Sequence, residues 1–251
     1  MLRYIILSTP RCGSSTFMDC AELVFGKGSF IREPLNPYEN PKWHPSFLHG
    51  KSVSERVDLL TDPSCCVVGI KHVFSPFNRA MNTEDNFHAL VRLLTLPDMR
   101  VVLLSRRNVF HQFVSIEIAL QSGDWWSNGV EALPTILGPI KAGGHAPLTG
   151  PAIIERIEKL GQSGKLLRDI CRLLGINWVE YFYEDLFGGV TDETTGSIAS
   201  ALAQFDEATP SAIDPTAIEK LITLGQRFDA MSGFYDDVMH RYPALKDKYF
   251  A

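Results

Sequence analysis

Hydrophobic runs typical of buried strands alternate along this chain with segments that have a helical pattern. Residues 4–8 (Tyr-Ile-Ile-Leu-Ser) and 101–104 (Val-Val-Leu-Leu) are apolar runs of the kind that parallel sheets bury on both faces. A helix-like segment follows each run, at residues 17–24 and 108–121. This alternation predicts an α/β fold with a central, mostly parallel sheet flanked by helices.

Shorter patterns extend this organisation over the rest of the chain. Further strands are predicted at residues 29–31, 65–70 and 178–183, and further helices at 54–60, 87–95, 151–174, 192–205 and 215–228. Four prolines make residues 33–47 irregular, and Gly and Pro are frequent in residues 126–150. The 251 residues, without an internal repeat, are predicted to form one domain whose part from residue 151 onward is mainly helical.

The loop after the first strand carries the residue types of an anion site. Gly13, Ser14 and Ser15 lie where the next helix begins, and the backbone N–H groups and dipole at a helix N-terminus favour negative charge. Arg11 adds a forked cation. We interpret the loop as a cradle for a nucleotide phosphate; the alternative is an ordinary strand–turn–helix with Arg11 in solvent. The first loop is not of the Walker type, because Ser-Ser and not Lys-Ser/Thr follows Gly13. The Gly-Lys-Ser at residues 50–52 does not complete such a loop either, because Pro45 stands where the motif has its first glycine.

Two arginines follow the second long strand. Arg106 and Arg107 precede Asn108, a candidate N-cap, and Ser115 lies eight residues after Arg107 on the predicted helix. The long Arg107 side chain can fold back across that distance, so that a guanidinium and a hydroxyl share one phosphate. Arginines at strand ends are also common surface features. Together with the first loop, however, this pair indicates a bisphosphorylated nucleotide.

Three more candidates lie where other predicted strands end. Glu33 follows the strand at 29–31, in a position where a general base can work. Lys71 and His72 follow the strand at 65–70, where they are candidates for charge stabilisation and proton transfer. The alternative for all three is a solvated charge at a strand end.

Composition narrows the classes of partner. The net charge of −5 and the pI near 5.8 argue against a nucleic-acid binder. No apolar run approaches a membrane span, and because residues 4–8 already read as a strand we expect no signal peptide. The five cysteines are odd in number and lack metal-ligand spacing, so we expect a reduced, cytoplasmic protein without a metal.

Four motifs, in the family's order, resemble those of sulfotransferases that use 3′-phosphoadenosine-5′-phosphosulfate. Residues 10–16 (Pro-Arg-Cys-Gly-Ser-Ser-Thr) resemble the 5′-phosphosulfate loop of carbohydrate sulfotransferases, and Arg107 with Ser115 resembles the 3′-phosphate motif. Residues 119–125 (Ala-Leu-Gln-Ser-Gly-Asp-Trp) are similar to a motif of bacterial trehalose-type sulfotransferases, and residues 183–186 (Tyr-Glu-Asp-Leu) match a further family motif. Cys12 departs from the usual Ser, and Ser122 from the usual Thr.

The resemblance implies a P-loop-like three-layer sandwich in which residues 1–125 form the nucleotide-binding core. It implies Glu33 as the base, with His72 of an imperfect Lys-Thr-His motif as the alternative. Arg11 would serve the bridging oxygen and Lys71 would neutralise the sulfuryl group. The implied donor-binding residues are Arg11, Cys12, Gly13, Ser14, Ser15, Thr16, Arg106, Arg107 and Ser115.

The acceptor stays open at this stage. Residues 126–150 are expected to form a loop over the acceptor site, where Trp125 and Trp126 can stack on a sugar, although one of them can equally pack in the core. A carbohydrate or glycolipid O-sulfotransferase is the favoured hypothesis. The alternatives are a kinase-like nucleotide-dependent transferase and a non-catalytic nucleotide-binding module. A homodimer is implied by the resemblance alone.

Overall fold

The computed structural model describes residues 2–37, 44–77, 83–122, 150–187, 191–203 and 214–225. The chain divides into two compact units, Met1–Arg107 with Ser163–Ile222 and Asn108–Gln162 with Thr223–Ala251. The first unit contains all the strands of the described residues. The prediction of a single domain stays a prediction.

A five-stranded, all-parallel sheet forms the centre of the first unit. Its strands run over Tyr4–Ser8 (β1), Phe30–Arg32 (β2), Gly69–Val73 (β3), Arg100–Ser105 (β4) and Asn177–Phe182 (β5). They lie in the order β2-β3-β1-β4-β5. Because all strands are parallel, their carboxyl ends share one edge of the sheet. The loops that follow β1, β2 and β4 therefore leave from that edge.

Helices cover both faces of this sheet. The described helices are Ser14–Phe25 (α1), Val53–Thr61 (α2), Glu84–Leu94 (α3), Val109–Ser122 (α4), Gly150–Leu173 (α5), Tyr183–Phe187 (α6), Thr191–Ala203 (α7) and Pro215–Gly225 (α8). Side chains of α2, α3 and the end of α5 pack on one face of the sheet, and those of α1, α6, α7 and α8 on the other. The predicted α/β fold with a central parallel sheet between helices is confirmed.

The period-two alternation of strand residues explains the two cores. Ile5 and Leu7 of β1 lie in one hydrophobic cluster, whereas Tyr4 and Ile6 lie in the other. The same alternation divides β4 between the two clusters. Both faces of these strands are buried, so their sequences read as continuous apolar runs rather than as alternating ones.

The third strand lies farther along the chain than its sequence predicts. The apolar run suggested a strand at residues 65–70, but β3 is Gly69–Val73. The ladder places Lys71 beside Ile6 of β1 and Arg32 of β2. Lys71 and His72 are therefore inside a central strand and buried, rather than in solvent after its end.

In the second unit, α4 begins where the sequence predicted. The side chain of Asn108 accepts a hydrogen bond from the backbone N–H of His111 at 2.9 Å, which is the N-cap arrangement. Arg156 and Glu117 form an ion pair in this unit. Of the helices in the described ranges, none combines the length and apolar character that crossing a membrane requires.

Candidate functional site

The loop between β1 and α1 turns sharply at Gly13. Gly13 has φ = 75° and immediately precedes α1, and its carbonyl accepts the helical hydrogen bond from Phe17 N–H at 2.9 Å. A Cβ atom built on Gly13 would lie 2.5 Å from Cε2 of Phe187. Glycine is required here for two reasons: the backbone is left-handed, and the Phe187 ring packs where a side chain would be.

Two other loop residues show how tightly this turn is built. Arg11 also adopts a left-handed backbone conformation, with φ = 61°, which is uncommon for a residue with a side chain. The thiol of Cys12 is fully buried in the core beneath the loop, where Sγ lies 3.2 Å from Thr9 Oγ1. Burial raises the pKa of Cys12 to about 11, so the thiol is protonated at neutral pH. The Cys12 side chain therefore packs in the core, and any contact of Cys12 with the predicted donor would come from its backbone.

Glu33 follows β2 in a strained conformation that several contacts hold. Its φ is 49°, and its backbone N–H donates to the carbonyl of Lys71 at 2.6 Å. Its carbonyl lies 3.0 Å from Nε2 of His44, and the side-chain amide of Asn36 donates to its carboxylate at 3.2 Å. Strain of this kind persists only where the surroundings fix it, and it occurs often at functional sites.

A buried arginine fastens the segment that follows Glu33. Arg56 of α2 is 3% exposed, and its guanidinium donates to the carbonyls of Pro34 and Asn36 at 3.2 and 2.9 Å. Its Nε also donates to the carbonyl of Lys51 at 3.0 Å. Arg56 therefore provides hydrogen bonds to backbone carbonyls of an irregular loop that has no regular secondary structure. These bonds fix the segment that follows Glu33.

Lys71 connects Glu33 with the first loop. Its Nζ lies 3.0 Å from Oε1 of Glu33 and donates to Oγ of Ser15 at 3.1 Å, and the Lys71 side chain is only 3% exposed. Burial lowers the pKa of Lys71, and Glu33 opposes that change. Burial alone would raise the pKa of Glu33, but the charge and hydrogen bond of Lys71, together with the hydrogen bond from Asn36, outweigh it and lower the pKa. We call the chain Glu33–Lys71–Ser15 the buried relay.

His72 follows Lys71 in β3, so the alternation of a strand directs its side chain to the opposite face of the sheet. It is fully buried, and its Nδ1 has no hydrogen-bond partner within the described part of the chain. Burial lowers its pKa to about 4, so the ring is neutral at pH 7. A neutral imidazole is chemically able to accept a proton, but its burial separates it from any acceptor in solvent. Of the two candidate bases, Glu33 is thus the more exposed.

Both arginines after β4 are engaged by the acidic residues of α6. The guanidinium of Arg107 forms a bidentate pair with Asp185, with Nη2 2.6 Å from Oδ2, and the backbone N–H of Arg107 donates to Glu184 at 3.0 Å. The Arg106 guanidinium lies over the ring of Tyr183, 4.4 Å from its centroid, and donates to the carbonyl of Arg11 at 3.4 Å. Arg106 thus links the end of β4 to the first loop.

The remaining predicted site residues fall outside this geometry. Ser115 is buried on α4 in the second unit, so its predicted pairing with Arg107 stays a prediction. Ser14 is buried and Thr16 half-buried in the first turn of α1. Trp125, Trp126 and almost all of the predicted acceptor loop at 126–150 lie outside the described residues.

Several contacts of the site have no signal in the sequence. Asn36 and His44 contact Glu33, and Arg56 holds the segment that follows it, yet each of the three occurs in an irregular or surface-like pattern. Asp185 belongs to a run already singled out at 183–186, but nothing in that run indicated that it pairs with Arg107. An arginine can pair with a carboxylate in a bidentate way, but the sequence does not say which of the later acidic residues will be its partner.

Comparisons with known proteins add no relative. No protein-family model matches this sequence, and the curated proteins contain no significant match to it. Among the residues that the structure describes, no three His, Cys, Asp or Glu side chains are grouped so as to hold a metal ion.

Proposed function

We propose that this protein transfers a sulfuryl group from 3′-phosphoadenosine-5′-phosphosulfate to a hydroxyl of a carbohydrate or glycolipid. The observation that carries the proposal is the buried relay, in which a carboxylate suited to act as a base is joined through Lys71 to Ser15 in the anion loop. A base on one side and a phosphate cradle on the other are what an in-line transfer needs.

The loop residues fit the 5′ side of such a donor. Gly13 leaves the backbone without a side chain where the helix N-terminus begins, and Ser14 and Ser15 follow in the first turn. Lys71 brings a buried cation to Ser15, and Arg11 adds a permanent one. Stabilising charge on the departing oxygen is the main contribution that a protein makes to this kind of transfer.

Glu33 is the proposed base. Its lowered pKa keeps it ionised at neutral pH, so it can accept a proton without first losing one. In the proposed step the acceptor oxygen forms its bond to sulfur while the bond from sulfur to the 5′-phosphate oxygen breaks. The acceptor proton goes to Glu33, and the electron pair of the broken bond leaves with adenosine 3′,5′-bisphosphate.

The proposal assigns the 3′-phosphate to Arg107. Arg107 is about half exposed, and its fork is occupied by the equally exposed Asp185. A carboxylate that binds this fork shows that the guanidinium has the geometry for an oxyanion, since carboxylates and phosphates use the same bidentate arrangement. A 3′-phosphate would compete with Asp185 for it.

The direct test is turnover of a donor labelled in its sulfuryl group, in the presence of disaccharides and glycolipids. The proposal predicts labelled acceptor and an equal amount of adenosine 3′,5′-bisphosphate, with the rate falling at least about 100-fold in Glu33→Gln. Glu84→Gln is the matched control, because Glu84 is 85% exposed on α3. Nucleotide binding with no transfer to any acceptor would favour the non-catalytic module.

One contact favours a second candidate, a kinase-like transferase. The loop has no lysine of its own, but Lys71 of β3 brings an ammonium group to within 3.1 Å of Ser15. This cation can stand in for the lysine of a nucleotide-phosphate loop. Hydrolysis or transfer from Mg²⁺-ATP that exceeds turnover of the sulfuryl donor would favour this candidate.

A further inference from the structure

Lys71 is shared between two groups that the proposed reaction uses separately. Its Nζ lies 3.0 Å from Glu33 Oε1 and 3.1 Å from Ser15 Oγ. Glu33 stands at the end of β2, whereas Ser15 stands in the first turn of α1. Lys71 therefore contacts both the carboxylate and the anion loop, and it links one to the other.

The charges around Lys71 make this contact sensitive to a bound anion. Arg32 of β2 is paired with Asp19 of α1, so these two charges largely compensate each other. His72 of β3 is neutral at pH 7, and Nε2 of His44 lies against the backbone carbonyl of Glu33. Glu33 is thus the charge that acts most strongly on Lys71, and an anion in the loop would compete with it.

We propose that Lys71 is a positioning residue that couples donor binding to the base: an anion bound at the loop draws the Lys71 ammonium toward Ser15 and weakens its pairing with Glu33. The Glu33 carboxylate then has a greater affinity for the acceptor proton when the donor is present than when it is absent. This inference rests on the proposed function, because it uses the loop as the donor site and Glu33 as the base.

The physical reason is competition for one buried cation. The Lys71 ammonium has three N–H donors, and it forms its best hydrogen bonds to a phosphate or sulfate oxygen when it moves away from Glu33. A carboxylate that loses a close positive charge binds a proton more tightly, particularly when it is itself buried. The strained backbone of Glu33, with φ = 49°, and its contact with Asn36 keep the carboxylate in place while its partner moves.

The test is a carboxyl titration of the full chain by NMR, with ¹³C-labelled glutamate and with or without saturating adenosine 3′,5′-bisphosphate. Glu33→Gln assigns the Glu33 signal, and exposed Glu84 is an internal control in the same spectrum. We expect the nucleotide to raise the pKa of Glu33 by about one unit and to leave Glu84 unchanged. Calorimetry on the same samples establishes separately that the nucleotide is bound.

Two variants separate Lys71 from a direct effect of the anion. In Lys71→Met the nucleotide should shift the Glu33 pKa much less than in wild type, and Ser15→Ala, a milder change in the half-buried first turn, should reduce the shift as well. A shift of wild-type size in both variants overturns the role of Lys71. A bound nucleotide that leaves the Glu33 pKa unchanged overturns the coupling alone. Failure of the nucleotide to bind overturns the proposed function and the coupling with it.

Discussion

Lys71 Nζ and Glu33 Oε1 lie 3.0 Å apart, and the two side chains are only 3% and 15% exposed. A buried pair of this kind stabilises a fold little when compared with an apolar pair. Removing one partner is costly because it leaves the other charge unpaired. The two residues belong to β3 and to the loop after β2, so this pair also fixes that loop relative to the sheet.

Lys71→Met should therefore lower the free energy of unfolding by about 3–5 kcal/mol at pH 7. The double variant Lys71→Met with Glu33→Gln should recover part of this loss, because the buried carboxylate is gone. Urea unfolding measures both. The control is Lys159→Met, whose ion pair with Glu155 is largely exposed and should contribute far less to stability. Equal losses in the two single variants would contradict the account.

The pair also sets how stability depends on acid. In wild type the folded-state pKa of Glu33 is lowered, so its contribution is present above its unfolded pKa of 4.5 and is lost as the pH falls further. In Lys71→Met the unpaired carboxylate should have a raised pKa, and stability should instead increase as the pH falls toward 4.5. Unfolding curves between about pH 3 and pH 7 test this reversal of sign.

His72 should destabilise the fold in a different pH window. Its pKa is lowered from 6.5 to about 4 by burial, so between these values the unfolded chain binds a proton that the folded chain does not. Stability should fall as the pH drops from 6.5 to 4, by up to about 3 kcal/mol from this residue. His72→Gln should flatten the dependence over that window. An unchanged slope would show that His72 is not buried in the neutral form.

Gly13→Ala should be more costly than an ordinary substitution at a left-handed glycine. An alanine here would have to adopt φ = 75°, and its Cβ would lie 2.5 Å from the ring of Phe187. Gly175→Ala is the matched control, since its φ is 63° and nothing lies within 4 Å of the added atom. We expect about 1–2 kcal/mol for the control and at least about 1 kcal/mol more for Gly13→Ala. Phe187→Leu should reduce that difference.

Asp185→Asn should strengthen binding of adenosine 3′,5′-bisphosphate. Asp185 occupies the fork of Arg107, and removing its charge removes a competitor for the 3′-phosphate. Both side chains are about half exposed, so the stability of the fold should change little. A severalfold tighter dissociation constant by calorimetry is expected. Weaker binding would show that Asp185 helps to position Arg107 instead of competing for it.

The sequence predicted the sheet well where strands are buried on both faces. The apolar runs of β1 and β4 leave few alternatives, and Asn108 marks the start of α4 correctly. The limits of β3 were wrong because a strand ends where its neighbours stop offering hydrogen bonds, not where its own apolar run stops. Lys71 pairs with Ile6 and Arg32, and no local pattern contains that register.

The candidate site divides in the same way. Arg11, Gly13 and Glu33 were predicted from their positions after strands, and the structure finds unusual backbone conformations at all three. Ser15 and Lys71 are 56 positions apart in the sequence, and Arg107 and Asp185 are 78 positions apart. Contacts between residues so distant in sequence depend on tertiary packing. The burial of Lys71 was missed because charge ordinarily indicates exposure.

The central claim is that the first loop and Arg107 bind a bisphosphorylated adenosine. Calorimetric binding of adenosine 3′,5′-bisphosphate to wild type and to Arg107→Ala, with ATP as the comparison, tests it most directly. We predict binding to wild type, a loss of at least about 10-fold in affinity in Arg107→Ala, and weak or no binding of ATP. Absence of binding to the folded wild-type protein, or equal binding of ATP, would contradict the claim.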